Sequence, residues 1–339
     1  MAELRNQLVR PYTGISDVRR VGLPVETCAE RVGRFGYVSK QLMLVQAGKM
    51  CTIANWEFKA AVGRQLWEAA LHWGIWRNRV VELRAHEHLI ERQAEGPLYD
   101  LFQELLYSQD DVEFATGLYG VILPAYQAAL LRYRAQTNPL VDQPTVRAID
   151  HVLLELNEQL AFGQSVLSAI QPPNAPEVVA WREHLTQYLE AAGGIDGTER
   201  VRPTFELPTP RSEGDYRIPT SFARDQRFTT SLPKISPYSE EEIPEHLLAK
   251  MWVRSQEMTA AELCASVLFE WEDLPYEGYV DLARHCWDET RHSLFVSLPW
   301  KGRGFRWSLY QAGWVMPSIR CLRRRKNAIP TLPLRLKAG

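Results

Sequence analysis

The feature that most constrains the fold of this chain is its long stretches of helical periodicity. No strand pattern lies between them. From Trp56 to about Gln93, apolar residues recur every three or four positions, charged residues fill the opposite face, and no proline interrupts the run. No hairpin dipeptide lies between alternating apolar segments, and no glycine-rich loop follows a strand-like segment. The sequence therefore predicts an all-α protein without a Rossmann fingerprint or a P-loop.

Further helices are predicted from the same periodicity and from capping residues and prolines. They cover about 98–108, 112–134 with a kink at Pro124, 145–170, 176–192, 243–271 and 277–298. Residues 1–50 are less periodic, and we expect an irregular cap with room for one helix. Residues 193–245 carry seven prolines and no helical period, which predicts a linker or an ordered arm draped over the fold.

Charge and cysteine content exclude several classes of protein. The formal net charge of −2 argues against a strongly basic nucleic-acid binder and against an acidic disordered chain. The five cysteines contain no CxxC pair, so neither a disulfide framework nor a zinc–thiolate site is expected. The first ten residues lack the apolar core of a signal peptide, and the longest apolar run, 112–131, contains Glu113 and Pro124. We expect a cytoplasmic protein in which this run is a core helix.

The strongest chemical signal is the segment His285-Cys-Trp-Asp-Glu289-Thr-Arg-His292. Glu289 and His292 are three residues apart, so on a helix both side chains can point at one metal ion. The preceding helix carries Glu262 within an otherwise apolar stretch. At 1.5 Å per residue, Glu289 lies roughly 18 Å into its helix and Glu262 roughly 15 Å before the end of its own. An antiparallel pair would therefore bring the two carboxylates to nearly one level.

An earlier segment repeats the same spacing. His151, Glu155 and Glu158 reproduce the His-x-x-x-Glu-x-x-(Glu/His) pattern, and a position 28 residues before Glu155 is Gln127, in the preceding predicted helix. Two helical hairpins of matched dimensions, each with polar residues at mid-helix, are typical of a bundle that directs metal ligands to its centre.

In these segments the chain resembles the ferritin-like diiron-carboxylate superfamily, in its rubrerythrin-like and tRNA-hydroxylase-like branches. The resemblance implies a four-helix bundle, usually with two iron ions and often with oxygen chemistry. It divides the chain into 1–109 (an N-terminal cap and long helices packed on the bundle), 110–192 (the first hairpin and an extra helix), 193–245 (the arm), 246–298 (the second hairpin) and 299–339 (a Trp- and Arg-rich tail). By position, the superfamily's ligands match Glu155, Glu262, Glu289 and His292.

Two positions depart from the superfamily's pattern. Gln127 replaces a glutamate, and Glu158 replaces a histidine. The four glutamates would still carry four negative charges into a core of low dielectric, which requires protons or cations to compensate them. Two divalent ions would balance that charge, so we predict a two-metal site that includes Gln127 and Glu158. Carboxylates with one imidazole favour iron, with manganese as the alternative.

Other polar residues are predicted to support this site or to form lesser candidates. His151, His285 and Asp288 are expected to hold the ligands by hydrogen bonds or ion pairs rather than to bind metal. Glu68 and His72, on the long N-terminal helix, are weaker metal candidates, because a salt-bridged stripe with Glu57 and Arg64 accounts for them better.

The favoured function is a dinuclear-metal oxidoreductase that activates O2 on a small-molecule substrate and takes electrons from an external donor, in a chain that could form a homodimer. The alternatives are a non-catalytic ferritin-like scaffold for metal or protein binding and a tRNA-modifying hydroxylase. The basic tail, with seven Lys and Arg residues between 320 and 337 and no acid, leaves peripheral membrane contact open, whereas nucleic-acid binding is not expected.

Overall fold

The computed structural model describes residues 15, 17–91, 96–170, 175–201, 206–227, 243–271 and 274–295. Within these ranges every regular element is helical and no strand occurs, which confirms the predicted all-α class. The helices are α1 (Val25–Met50), α2 (Trp56–Glu82), α3 (His88–Glu91), α4 (Pro97–Leu106), α5 (Asp111–Gly117), α6 (Leu123–Gln136), α7 (Gln143–Ile170), α8 (Pro176–Ala191), α9 (Ile243–Glu270) and α10 (Tyr276–Leu294). The basic tail, and with it the predicted membrane contact, lies outside the described residues.

Helix α1 is the one helix that the sequence left room for within 1–50, and it is longer and more regular than expected. It spans 26 residues, and most of its apolar side chains, among them Val32, Phe35 and Val38, are fully buried. Because α1 is enclosed by neighbouring helices on most sides, it has no polar stripe to produce a clear amphipathic period. Its three glycines weaken the pattern further, which explains why periodicity alone underrated this helix.

Helix α2 begins at a standard cap and ends earlier than predicted. The Asn55 side chain accepts a hydrogen bond from the Phe58 amide at 2.9 Å. At the other end, Arg84 takes a left-handed conformation with φ of 63°. The amides of Arg84 and Ala85 then donate to the carbonyls of Val81 and Val80 at 2.9 and 3.1 Å, as in a Schellman motif. Glycine usually occupies this position, so an arginine gave no stop signal in the sequence.

Four helices form a closed ring, called here the four-helix ring: α1 packs along α2, α2 along α10, α10 along α9, and α9 along α1. The predicted pairing of the 246–298 hairpin with a hairpin from 110–170 is therefore wrong. Helices α6 and α7 pack on each other, and α7 packs on α2, outside the ring. Helix α1 is almost fully buried, whereas α7 keeps one face in solvent.

Two glycines of α2 allow its close approach to α10. A Cβ atom at Gly63 would lie 2.6 Å from Thr290 Oγ1, and one at Gly74 would lie 1.8 Å from the Tyr276 hydroxyl. The contact moves forward along α2 as it moves backward along α10, so the two helices run antiparallel. Their separation depends on the missing side chains, because any larger residue at either position would force the helices apart.

A π-helical turn, Leu118–Ile122, directly precedes Pro124, where the sequence predicts a kink. The Leu123 amide donates to the Leu118 carbonyl, one residue further back than in an α-helix. Pro124 has no amide hydrogen, and it stands in the first turn of α6, which continues from Leu123 to Gln136. The stretch Asp111–Gln136 is long and apolar enough to cross a membrane by length and composition, but 67% of its most apolar window is buried, as expected for a core helix.

Residues 206–227, called here the strap, cross the helices in extended and turn conformations. The Tyr188 hydroxyl donates to the Pro208 carbonyl at 3.0 Å, and the Tyr107 hydroxyl donates to the Glu213 carbonyl at 2.9 Å. At its other end the strap donates from the Ala223 amide to the Cys51 carbonyl at 2.9 Å. This part of the Pro-rich region is therefore an ordered arm rather than a free linker.

Candidate functional site

The six predicted metal ligands do not meet at one place. Glu262 lies inside the four-helix ring with its side chain fully buried. One of its carboxylate oxygens, Oε1, accepts hydrogen bonds from Lys59 Nζ and from Arg224 Nη1, the latter at 2.8 Å. Two cations of the protein therefore already compensate this carboxylate. The partner of Glu289 on α9 is Glu257, and the structure describes no contact between Glu289 and Glu262, the two carboxylates predicted to share an ion.

Glu155 and Glu158 project from α7 toward α2 rather than toward α9 and α10. His72 Nε2 donates to Glu155 Oε2 at 2.6 Å, and Arg64 Nη2 donates to Glu158 Oε2 at 2.8 Å. Gln127 donates to Asn157 at 2.6 Å, on the outer side of the α6–α7 pair. These three residues therefore do not form a first half-site facing Glu262 and Glu289.

Glu289 and His292 do lie together, as their spacing requires. His292 Nδ1 lies 3.3 Å from Glu289 Oε2, and His285 Nε2 donates to Glu289 Oε1 at 3.0 Å. Glu257 of α9, which sequence reasoning missed, shares a hydrogen bond with Glu289. Burial and this contact raise the pKa of Glu257, whereas the pKa of Glu289, although burial opposes it, is lowered by hydrogen bonds from Glu257 and the two histidines. The contact between the two carboxyls thus shifts their pKa values in opposite directions.

The residues predicted to support the metal ligands also lie at separate places in the fold. Asp288 pairs with Arg291 on the surface of α10, and no hydrogen bond or ion pair joins its side chain to that of Glu289 among the described residues. His151 is exposed and acts on Glu155 only through its charge. The hydrogen bond that we expected His151 to supply comes instead from His72, because that histidine projects from the helix packed against α7.

A group of eight polar side chains lies between α2, α7 and the π-helical turn. We call it the α2–α7 polar cluster, and its members are Arg64, Gln65, Glu68, His72, Tyr119, Glu155, Glu158 and Gln159. Glu68 has 3% of its surface exposed. Its two oxygens accept hydrogen bonds from Arg64 Nε at 2.6 Å and from Gln159 Nε2 at 2.8 Å. Of the two weaker candidates, His72 thus contacts the predicted ligand Glu155, whereas Glu68 is held by Arg64 and Gln159.

The π-helical turn contributes an aromatic residue, Tyr119, to this cluster. The Tyr119 hydroxyl donates to Gln65 Oε1 at 2.8 Å, and Tyr119 is buried. Burial raises the pKa of Tyr119, and the charge of Glu68 adds to that effect. π-helical turns occur often at functional sites, because they redirect one side chain without ending the helix.

The electrostatics of the α2–α7 polar cluster leave one buried acid undercompensated. Burial raises the pKa of Glu68, and Glu155 raises it further, although Arg64 and Gln159 oppose the change. The pKa of Glu155 is lowered, chiefly by its hydrogen bond from His72. Three carboxylates face one guanidinium here, so the cluster carries net negative charge even when His72 is protonated. It can therefore take up a proton or a cation.

No group of three or more His, Cys, Asp or Glu side chains within the described ranges is arranged to hold a metal ion as it stands. The predicted two-metal site built from all six ligands therefore does not fit this fold. Lys59, Arg64 and Arg224 neutralise acids for which we had expected metal ions. Arg64 lies four residues before Glu68, in the stripe that the sequence predicts to be salt-bridged, and this pair is confirmed. Lys59 left a weaker signal, as a lone cation between apolar neighbours, Phe58 and Ala60.

No protein-family model, no curated protein and no solved structure matches this chain.

Proposed function

We propose that this protein is a metal-dependent oxidoreductase whose ion binds at the α2–α7 polar cluster, to Glu68, His72 and Glu155. The observation that carries this proposal is the contact of His72 Nε2 with Glu155 Oε2 at 2.6 Å, close enough to the buried Glu68 for the charge of Glu155 to raise its pKa. Binding would require the three side chains to exchange their present hydrogen bonds for bonds to the metal.

Charge compensation favours this cluster over the other polar groups. Glu262 already has two cations on one oxygen, and Glu104 has a histidine and two amides. Glu68 instead has a raised pKa, which means that its surroundings do not fully compensate its charge. The Glu257–Glu289 pair lies nearer the surface, with His285 exposed, and hydrogen bonds from Glu257 and two histidines lower the pKa of Glu289.

Two carboxylates and an imidazole are hard and borderline ligands, so we propose Fe(II) or Mn(II). Three protein ligands would leave positions for O2 and a small-molecule substrate, and the ion would supply the one-electron chemistry that O2 activation needs. A second ion would have to displace Arg64 from Glu158, so the proposal is for one ion. Electrons would come from an external donor.

Metal binding can be tested directly on the full-length protein. Chelator-treated protein is titrated anaerobically with Fe(II) and Mn(II), and bound metal is measured by mass spectrometry. Glu155→Gln and His72→Ala should abolish uptake, whereas Glu289→Gln should leave it unchanged. Free metal at a hundred times its Kd should stabilise the folded protein by about 2.7 kcal/mol, and neither site variant should gain this.

The second candidate is a non-catalytic helical scaffold, favoured by the cations that already pair with the interior acids. It predicts a stable protein that takes up no metal and whose melting temperature does not respond to Fe(II) or Mn(II). Uptake that survives in both Glu155→Gln and His72→Ala would place any metal elsewhere and refute the proposed site. Uptake without O2 consumption in the presence of a reductant would keep the site and refute the oxidoreductase.

A further inference from the structure

The strap reaches into one end of the four-helix ring, where α1 leads into α2. Arg224 of the strap donates to the buried Glu262 at 2.8 Å, and Lys59 Nζ donates to the Ala223 carbonyl at 3.0 Å. The Ala223 amide donates to the carbonyl of Cys51, whose side chain is fully buried at this end. The strap therefore covers a buried acid, a buried lysine and a buried thiol.

We propose that the strap is a lid on this end of the four-helix ring, latched by Arg224 on Glu262, and that its release gives solvent access to Lys59, Glu262 and Cys51. This inference does not depend on metal binding at the α2–α7 polar cluster, which is a separate group of residues. It assigns to the 206–227 segment a conformational role in addition to connecting α8 with α9.

The ion pairs at Glu262 can act as a latch, because one of its two cations belongs to the strap. Lys59 and Arg224 both donate to the same oxygen, Oε1, while the buried Oε2 has no hydrogen-bond partner among the described residues. Removing the strap would leave Lys59 and Glu262 as a neutral pair. Glu262 thus keeps a counter-cation, Lys59, when Arg224 departs, so opening does not leave its charge unpaired.

The strap is anchored separately at its other end, so release near Arg224 need not detach it. Glu104 accepts hydrogen bonds from the amides of Arg211 and Ser212 at 2.8 and 2.9 Å. The Arg211 guanidinium also lies 4.4 Å from the centre of the Trp181 ring. These contacts hold the strap against α4 and α8 while its Arg224 end moves, as in a hinged lid.

Thiol labelling of Cys51 measures this opening in the full-length protein. Native protein is treated with N-ethylmaleimide, and the label at each cysteine is followed by peptide mass spectrometry. Arg224→Met should speed labelling of Cys51 by about 10- to 100-fold, the equivalent of one charge-assisted hydrogen bond. Arg224→Lys, which keeps the charge, should stay close to the unchanged protein.

Two controls separate release of the lid from loss of stability. Cys28 is buried elsewhere in the fold, and its labelling should not change in Arg224→Met. Arg227→Met removes a more exposed strap arginine that pairs with Asp225 and Glu57, and should speed Cys51 labelling less than about fivefold. An unchanged Cys51 rate in Arg224→Met, an equal rise at Cys28, or an equal effect of Arg227→Met would each overturn the proposal.

Discussion

Glu104 of α4 is the buried acid whose replacement we expect to change the pH dependence of stability most. Its side chain is fully buried, and His184 Nε2 and the strap amides of Arg211 and Ser212 donate to it at 2.6 to 2.9 Å. Burial opposes ionisation, but these hydrogen bonds prevail and lower the pKa of Glu104 to about 2. The folded protein therefore strongly favours the charged carboxylate.

The size and sign of the effect follow from this pKa. A carboxyl whose pKa falls from 4.5 to about 2 on folding contributes about 3 kcal/mol to the free energy of unfolding at neutral pH. Because the pKa is lowered in the folded state, the contribution is complete well above pH 4.5 and is lost as the pH falls toward 2. Glu104→Gln should cost about 3 kcal/mol at pH 7 and almost nothing near pH 2.

Urea unfolding followed by circular dichroism at several pH values between 7 and 2 would measure both effects. The matched control is Asp100→Asn, one turn earlier on α4, where burial and the charge of Glu104 raise the pKa. That variant should not lose stability at neutral pH in the same way. If the stability difference between Glu104→Gln and the unchanged protein stayed constant from pH 7 to pH 2, the assigned role of this carboxylate would be wrong.

Two further predictions concern a buried lysine and a pair of glycines. Burial lowers the pKa of Lys49 to about 8, so the folded protein binds fewer protons than the unfolded chain between pH 8 and 10.5, and stability should rise across that window by up to about 3 kcal/mol. Lys49→Met should remove this rise in urea titrations at pH 8 and 10. A Cβ at Gly163 would lie 2.3 Å from Tyr119 Cγ, so Gly163→Ala should lower stability by about 1–3 kcal/mol. Gly120→Ala, whose nearest atom would be 3.8 Å away, should not, and equal thermal shifts for the two variants would contradict the packing described for the π-helical turn.

Prediction from sequence succeeded where the cause is local. The all-α class and the starts of α4, α5 and α8 follow from prolines, from the Asp110 cap and from apolar spacing, all of which act within one or two turns of helix. The contact between Glu289 and His292 also follows, because three residues along a helix bring two side chains to one face.

Tertiary structure alone decided which charges meet. Lys59 and Glu262 are 203 residues apart, and His72 and Glu155 are 83 apart, so no spacing rule connects them. Sequence showed that buried acids need compensation but not what supplies it. Because α1 and α2, rather than α6 and α7, form the ring with α9 and α10, Lys59 and Arg224 of the strap lie where we had expected a metal ion. The physical reason is that helix periodicity indicates only which face of each helix is buried. Which other helix packs on that face depends on how well the two whole surfaces fit.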